Sequence, residues 1–332
     1  MFASPVVSVI MNCRNSAEFL REAIDSVYAQ TFKGWEIIFW DNCSTDQSPE
    51  IAQSYIGKFA SASTLNAPDP SPCPSYERMR YFRAEKSTLL GEARNLAIAK
   101  STAQFVAFLD CDDLWLPEKL EKQLELFHNP KVGLVCTDTI SFSGNRELSR
   151  MFDLAPPHRG MAFAELLTAG WISMSSAMIR REALNGLDCW FDPVFNVAEE
   201  ADLFYRIAYD WELDYVNAPL TRWRVHESNT TFKKYHQFAD ETRLILRKHL
   251  ELYPGYAEKY PQLIPLLTRR AAFQKGVALW RDGYAKAARK ELSPWVAGSA
   301  KFMVFWLATW LPGKSFDKLA RIYQVLPKFL RR

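Results

Sequence analysis

The chain has no glycine-rich phosphate loop. None of its 13 glycines falls in a GxGxxG or GxxxxGK[ST] pattern, which excludes a dinucleotide fingerprint or a P-loop as the means of holding phosphate. Net charge is also scarce: 41 Lys and Arg against 38 Asp and Glu leave +3, too little to argue for nucleic acid as a partner. The six cysteines, at 13, 43, 73, 111, 136 and 189, have neither paired zinc spacing nor the density of a disulfide scaffold, so reduced thiols in a cytosolic protein are expected. No basic leader with a long apolar stretch opens the sequence, and a secretory signal is not expected. What is abundant is apolar surface. At 48% apolar and 14% aromatic, 332 residues can bury a large core, enough for one principal domain and an appended segment.

The first half alternates two kinds of segment. "PVVSVIM" is a β-branched run, followed from Asn15 by a helical pattern that puts Leu20, Ala23, Ile24 and Val27 on one face, with Glu18 placed for a capping box. "WEIIFW" repeats the strand signal, and a second helix is expected to start near Ser48 or Pro49. A four-proline loop from Pro68 to Pro74 leads to a strand around "RYFRA". A helix at "GEARNLAIAK", a strand at "QFVAFLD" and a helix opened by Pro117, with Leu120, Leu124 and Phe127 inward, follow. This alternation predicts an α/β fold, a mostly parallel central sheet with helices on both faces. Ligands of such sheets bind beyond the C-terminal strand ends. The acidic residues gather there: Asp41 and Asp46 after the second strand, Asp110 to Asp113 after the fourth.

Asp110, Asp112 and Asp113 in "FLDCDDLWLP" would repel one another unless compensated. Residues two apart on an extended segment point the same way, so Asp110 and Asp112 can converge on one divalent cation, and Mg²⁺ or Mn²⁺ bound by one or two carboxylates keeps sites open for a diphosphate. The alternative is an acidic loop capping the helix that follows Pro117.

Five stretches, "SVIMNCRN", "EIIFWDNCSTD", "GEARNLA", "FLDCDDLWLPEKL" and "AEEADLFYRIA", occur in that order, and together they resemble the family 2 glycosyltransferases over roughly residues 5 to 230. The resemblance implies the Rossmann-like GT-A fold, a nucleotide-diphosphate sugar donor and inverting transfer. It implies that Asn12, Arg14, Asp41 and Asn42 hold the base and ribose; many relatives carry two acids where this chain has Asp41 and Asn42, which leaves the base open. Arg94 matches a donor-site arginine, the other reading being an ordinary helix-surface residue. Asp110 and Asp112 match the DxD pair, with Asp112 the firmer metal ligand, Asp110 shared between metal and ribose, and Asp113 supporting the loop. Glu200 matches the catalytic base, although Glu replaces the commoner Asp; Glu199 and Asp202 read as ordinary first-turn acids, Asp202 pairing with Arg206 at i,i+4. His226, in "RWRVHESN", matches a histidine that completes the metal shell in some members, the alternative being a structural histidine. "WISMSSAMIRR" is expected to form a strand and turn lining the acceptor pocket.

The catalytic domain is expected over residues 1–232 and a helical extension over 233–332. "YHQFADETRLILRKHLELY" reads as a long helix and "RRAAFQKGVALWRDGYAKAARKEL" as a helix pair with small residues at the crossing. In "WVAGSAKFMVFWLATWL" the helical wheel puts Trp295, Met303, Trp306, Leu307 and Trp310 on one face, opposite Ala297, Lys301 and Ala308. The stretch is too short to span a bilayer, which takes about 20 apolar residues. From Lys286 to Arg332 ten basic residues face two acids, Glu291 and Asp317. Segment 295–332 is therefore expected to associate with an anionic membrane at its cytoplasmic face, the alternative being a helix packed on the catalytic domain. The functional expectation is an enzyme that transfers sugar to a glycan or lipid-linked acceptor in surface-polysaccharide biosynthesis. The rivals are a metal-dependent nucleotidyltransferase and a catalytically inactive membrane-associated binding protein.

Overall fold

The β-branched run at the start forms β1 (Val7–Cys13), and six of its seven residues are buried because helices cover both faces of the sheet. Helix α1 (Ala17–Tyr28) turns Leu20, Ala23, Ile24 and Val27 inward, as the spacing predicts. β2 (Trp35–Asp41), α2 (Ser48–Ile56), β3 (Met79–Arg83), α3 (Leu90–Ile98) and β4 (Phe105–Phe108) complete the alternating half. The computed structural model describes residues 4–56, 78–229 and 234–315, so the proline-rich loop expected at Pro68 to Pro74 lies outside the described residues.

β1 pairs in parallel with β2 and β4, and β2 with β3, giving the order β3-β2-β1-β4 and the parallel half that the alternation predicts. Beyond β4 the sheet becomes mixed. The remaining elements are β5 (Leu114–Trp115), α4 (Lys119–Leu126), β6 (Val132–Ser143), β7 (Arg146–Arg150), α5 (Met151–Leu154), α6 (Phe163–Ala169), β8 (Met178–Arg180), α7 (Arg181–Asn185), α8 (Glu199–Asp210) and β9 (Glu212–Arg224). β8 runs antiparallel between β4 and β6, β9 lies parallel to β6, and β5 closes the edge antiparallel to β9. This mixed half carries the end of β9 back beside the loop that follows β4, and so builds one wall of the site.

The start of α1 differs from the capping box. Ser16 makes no side-chain cap, and the helix is closed by the β2–α2 loop instead: the amide of Ala17 donates to Asp46 Oδ2 (3.0 Å) and that of Ser16 to Ser48 Oγ (3.0 Å). Asn15, in the left-handed region at φ 56°, accepts the Thr45 amide on Oδ1. The two loops at the C-terminal edge of β1 and β2 therefore brace each other.

The chain divides into two compact units, Met1–His226 and Glu227–Arg332. The expected boundary at 232/233 falls within 230–233, outside the described residues. The second unit is helical, with helices Phe238–Leu252, Tyr256–Lys259, Leu263–Arg281, Ala285–Leu292 and Ala300–Ala308. Its core gathers Val277, Trp280, Ala288, Leu292, Phe302, Phe305 and Ala308. Gly276 allows the expected close crossing, since a Cβ there would meet Leu292 at 2.5 Å. The wheel of the last helix needs correction. Phe302, Phe305 and Ala308 face the core, Lys301 lies over the Phe273 ring (4.2 Å), and Trp295 and Trp306 side with the core. Met303, Val304, Leu307, Trp310 and Leu311 form the exposed side. The segment carries aromatics on both faces, and packing against the preceding helices, invisible to a wheel, decides which face is buried. Among the described residues no helix is long and apolar enough to cross a membrane.

Candidate active site

At the C-terminal edge of the parallel strands, three segments remote in sequence converge. Arg94, on the second turn of α3, is 2% exposed. It donates from one guanidinium nitrogen to Asp110 Oδ1 (3.0 Å), in the loop after β4, and from the other to Glu199 Oε1 (3.0 Å), at the start of α8. The second nitrogen also lies 3.9 Å from Glu200 Oε2. Burial opposes the charge on Arg94, but Asp110, Glu199 and Glu200 outweigh it and hold its pKa above the ordinary value. The helix-surface reading of Arg94 is thus excluded, and Glu199, read as a generic first-turn acid, is a buried partner in the cluster. Gly91 makes this approach possible: a Cβ there would meet Phe191 Cβ at 3.2 Å and Glu199 Cγ at 3.5 Å.

Glu200 is the neighbour of that buried pair. Its carboxyl is crowded by protein, yet 37% of the side chain is still open. Desolvation raises its pKa to about 8, with Arg94 opposing and Glu199 and Asp110 adding to the rise. A partly open carboxyl whose pKa is raised towards neutrality is suited to proton abstraction. Asp202 pairs with Arg206 at 2.8 Å as the spacing predicts. Arg206 also donates to the carbonyls of Cys189 and Trp190, fixing the loop before α8.

The acidic loop presents two carboxylates and buries the third. The side chains of Asp110 and Asp112 are 38% and 30% exposed. Asp112 Oδ2 lies 3.0 Å from His226 Nε2, whose ring rests against Phe19 at 5.1 Å. Asp113 is 2% exposed and accepts from the Ser175 hydroxyl (2.6 Å) and the Arg224 amide (3.0 Å), so it supports the loop as expected. None of the three caps α4, whose first turn has no side-chain cap. Two carboxylates and an imidazole are a donor set that suits Mn²⁺ or Mg²⁺. Burial, and then the charge of Asp110, push the Asp112 carboxyl above its usual range, a cost that a bound cation would remove. Asp110 is meanwhile held by Arg94, and among the described residues no group of three or more His, Cys, Asp and Glu side chains is gathered as a complete cation site.

The expected nucleotide residues line the neighbouring loops. Asn12, the last residue but one of β1, has its amide nitrogen buried and without a hydrogen-bond partner among the described residues, and Arg14 is exposed. Asp41 has no exposed surface; one oxygen accepts the Ser44 amide (2.8 Å), the other the Tyr81 hydroxyl (2.8 Å) and Arg83 (2.9 Å). Asn42 uses its amide both ways on Thr88, donating to the carbonyl (2.9 Å) and accepting the N–H (3.0 Å). The sequence pattern did not single out Tyr81, Arg83, Thr88, Ser175 or Arg224. Their partners lie 39 to 111 positions away along the chain.

Comparison with known proteins agrees with this geometry. The family model described as glycosyl transferase family 2 matches residues 8–187, more than half of the 332-residue chain. The provisionally named glycosyltransferase EpsE of Bacillus subtilis (strain 168) is 24% identical over 243 residues, covering 64% of this chain and 80% of the relative. TuaG of the same organism, provisionally named a teichuronic acid biosynthesis glycosyltransferase, is 36% identical over 121 residues. That match covers 36% of this chain and 41% of TuaG. Among solved structures, the mannosyltransferase PcManGT of Pyrobaculum calidifontis, in complex with GDP-Man and Mn²⁺, aligns with a TM-score of 0.61 at 17% identity. The alignment covers 95% of this chain and 84% of that one, and establishes the shared GT-A-like fold. The chain belongs to glycosyl transferase family 2 and is a glycosyltransferase.

Proposed function

We propose that this enzyme moves a sugar, with inversion, from a nucleotide-diphosphate donor to a hydroxyl of a glycan or lipid-linked acceptor. The observation that carries the reading is the convergence of Asp110, Arg94, Glu199 and Glu200 from three separate segments at the C-terminal edge of the parallel strands. Asn12, Arg14 and Asn42 border the nucleotide, and the orphaned Asn12 amide is a donor in want of an acceptor. Asp41, turned to Ser44, Tyr81 and Arg83, shapes the base pocket by fixing the loop beneath it.

Asp112, His226 and Asp110 would hold Mg²⁺ or Mn²⁺. When bound, the cation supplies charge neutralisation for the departing diphosphate. Glu200 takes the proton of the acceptor hydroxyl, in line with its raised pKa. Arg94 keeps Asp110 directed to the donor and holds the start of α8, so that the acceptor oxygen whose proton Glu200 takes meets the anomeric carbon from the side opposite the leaving diphosphate.

The name of TuaG and the likeness of the chain to it support a place in surface-polysaccharide biosynthesis. The exposed apolar side of the last described helix supports peripheral attachment to an anionic membrane, at the cytoplasmic face. Leu307 and Trp310 there are 54% and 67% exposed, and Arg289 stacks on the Trp310 ring at 4.1 Å.

Thermal unfolding with a panel of nucleotide sugars, with and without Mn²⁺, tests the donor assignment. A shift to higher temperature with one donor and Mn²⁺ together supports it, because a ligand bound only by the native state stabilises that state. No shift with any nucleotide sugar contradicts it.

A further inference from the structure

Ser175 ties both ends of the acidic loop together. Its hydroxyl accepts the Asp110 amide N–H (3.1 Å) and donates to Asp113 Oδ2 (2.6 Å), while the residue is 1% exposed. Its carbonyl accepts the Trp115 indole N–H at 2.7 Å. Across the loop, the Arg224 amide donates to the other Asp113 oxygen (3.0 Å) and Arg224 Nε to the Asp112 carbonyl (2.9 Å). The turn that carries Ser175, Met174–Ser176, is held from below: Gln123 Nε2 donates to the carbonyls of Ser176 (2.9 Å) and Val135 (2.8 Å). Lys119 Nζ in turn donates to Gln123 Oε1 (2.7 Å), and neither Lys119 nor Gln123 has exposed surface.

The main chain of residues 110 to 113 is therefore fixed from β9 on one side and from the 174–176 turn on the other, and only the Asp110 and Asp112 carboxylates are left to face a ligand. A group that must donate and accept at once, in a space this closed, is met by a hydroxyl and by neither an alanine nor a carboxylate. The segment expected to line the acceptor pocket thus has a different task at this position.

We infer that Ser175 is a positioning residue for divalent cation binding: it sets the loop so that Asp110 and Asp112 converge before the ion arrives. This rests on the assignment of those two aspartates to the cation. Groups that orient metal ligands from behind typically contribute about 10- to 100-fold in affinity.

The test is titration of the full chain with Mn²⁺ alone, free ion being read by electron paramagnetic resonance, for wild type, Ser175→Ala, Ser175→Thr and Trp115→Phe. Ser175→Ala is expected to bind Mn²⁺ about 10-fold more weakly, and Ser175→Thr, which keeps the hydroxyl, to recover most of that loss. Equal affinity in Ser175→Ala and wild type overturns the inference. Equal loss in the Ala and Thr variants assigns the effect to packing and overturns it too. Should Ser175→Ala fail to fold, Trp115→Phe frees Ser175 from its carbonyl side. A several-fold weakening there supports the inference, and unchanged affinity overturns it. A wild type that binds no Mn²⁺ is the separate outcome that removes the metal assignment itself.

Discussion

Arg94 and Glu199 are separated by 105 positions in the chain, yet form a 3.0 Å ion pair whose side chains are 3% and 6% exposed. Two charges so enclosed are costly unless paired, and the pair is completed by Asp110 on the other arm of the guanidinium. Replacing Arg94 by Met leaves Glu199 buried without its counter-charge. The expected loss is about 3 kcal/mol in unfolding free energy, read by urea denaturation, and a loss within experimental error would mean that the pair is not enclosed in solution.

Glu200→Gln keeps the shape of the base and removes its proton-accepting charge. Turnover is expected to fall by ~10² to 10⁴, with donor affinity preserved in an equilibrium binding measurement. Unchanged turnover would reject the role.

The pH dependence has a defined sign. Glu200 acts as a base only when ionised, and its pKa is raised from 4.5 to about 8, so the active form is the minor one near neutrality. Turnover under saturating donor, acceptor and Mn²⁺ is therefore expected to climb with pH over a range lying above the ordinary carboxylate value and below about 8, and then to level. Occupancy by a cation beside Asp110 moves the rise to lower pH, because positive charge favours the carboxylate. In Glu200→Gln the rise is expected to vanish. A wild-type profile flat through this range contradicts the assignment.

The exposed apolar side chains of helix Ala300–Ala308 and of the turn that follows it bear on membrane attachment independently of catalysis. Leu307→Glu combined with Trp310→Glu puts charge on two side chains that are 54% and 67% exposed, so folding should be little affected. Co-sedimentation with anionic liposomes is expected for the wild type and should be largely lost in the double variant. Equal sedimentation of both would remove this face as the attachment surface.

How much of this was legible from sequence follows the range of the interactions. β1 to β4 and the helices between them could be read because local periodicity and uninterrupted apolar runs report elements buried on both sides. The second half of the sheet could not. β6 buries Thr137, Asp138 and Thr139 in its middle, and Asp138 is made tolerable by Arg150 at 2.7 Å, a pairing across a β-hairpin that an apolar pattern does not register. The loop after β4 announced itself through its charge. Ser175 carries no such signal, as one serine among several whose importance lies in meeting Asp110 and Asp113 at the right angle. Glu199 was misread for a related reason: an acid in the first turn of a helix is what the dipole favours anyway, and only the distant Arg94 distinguishes it. Asp41 shows the opposite case. Its position at a strand end was legible, but that Tyr81 and Arg83 occupy its carboxylate was not.

We propose that Asp110 and Asp112 hold a cation that the transfer requires, with Glu200 as base. The most direct test of this assignment is the nucleotide product released from the matching sugar donor and acceptor, with Mn²⁺ or with chelator, by wild type and Asp112→Ala. The expected result is nucleoside diphosphate, released only with Mn²⁺ and strongly reduced in Asp112→Ala. Release of pyrophosphate, or of nucleoside diphosphate at equal rates with chelator present, would contradict it.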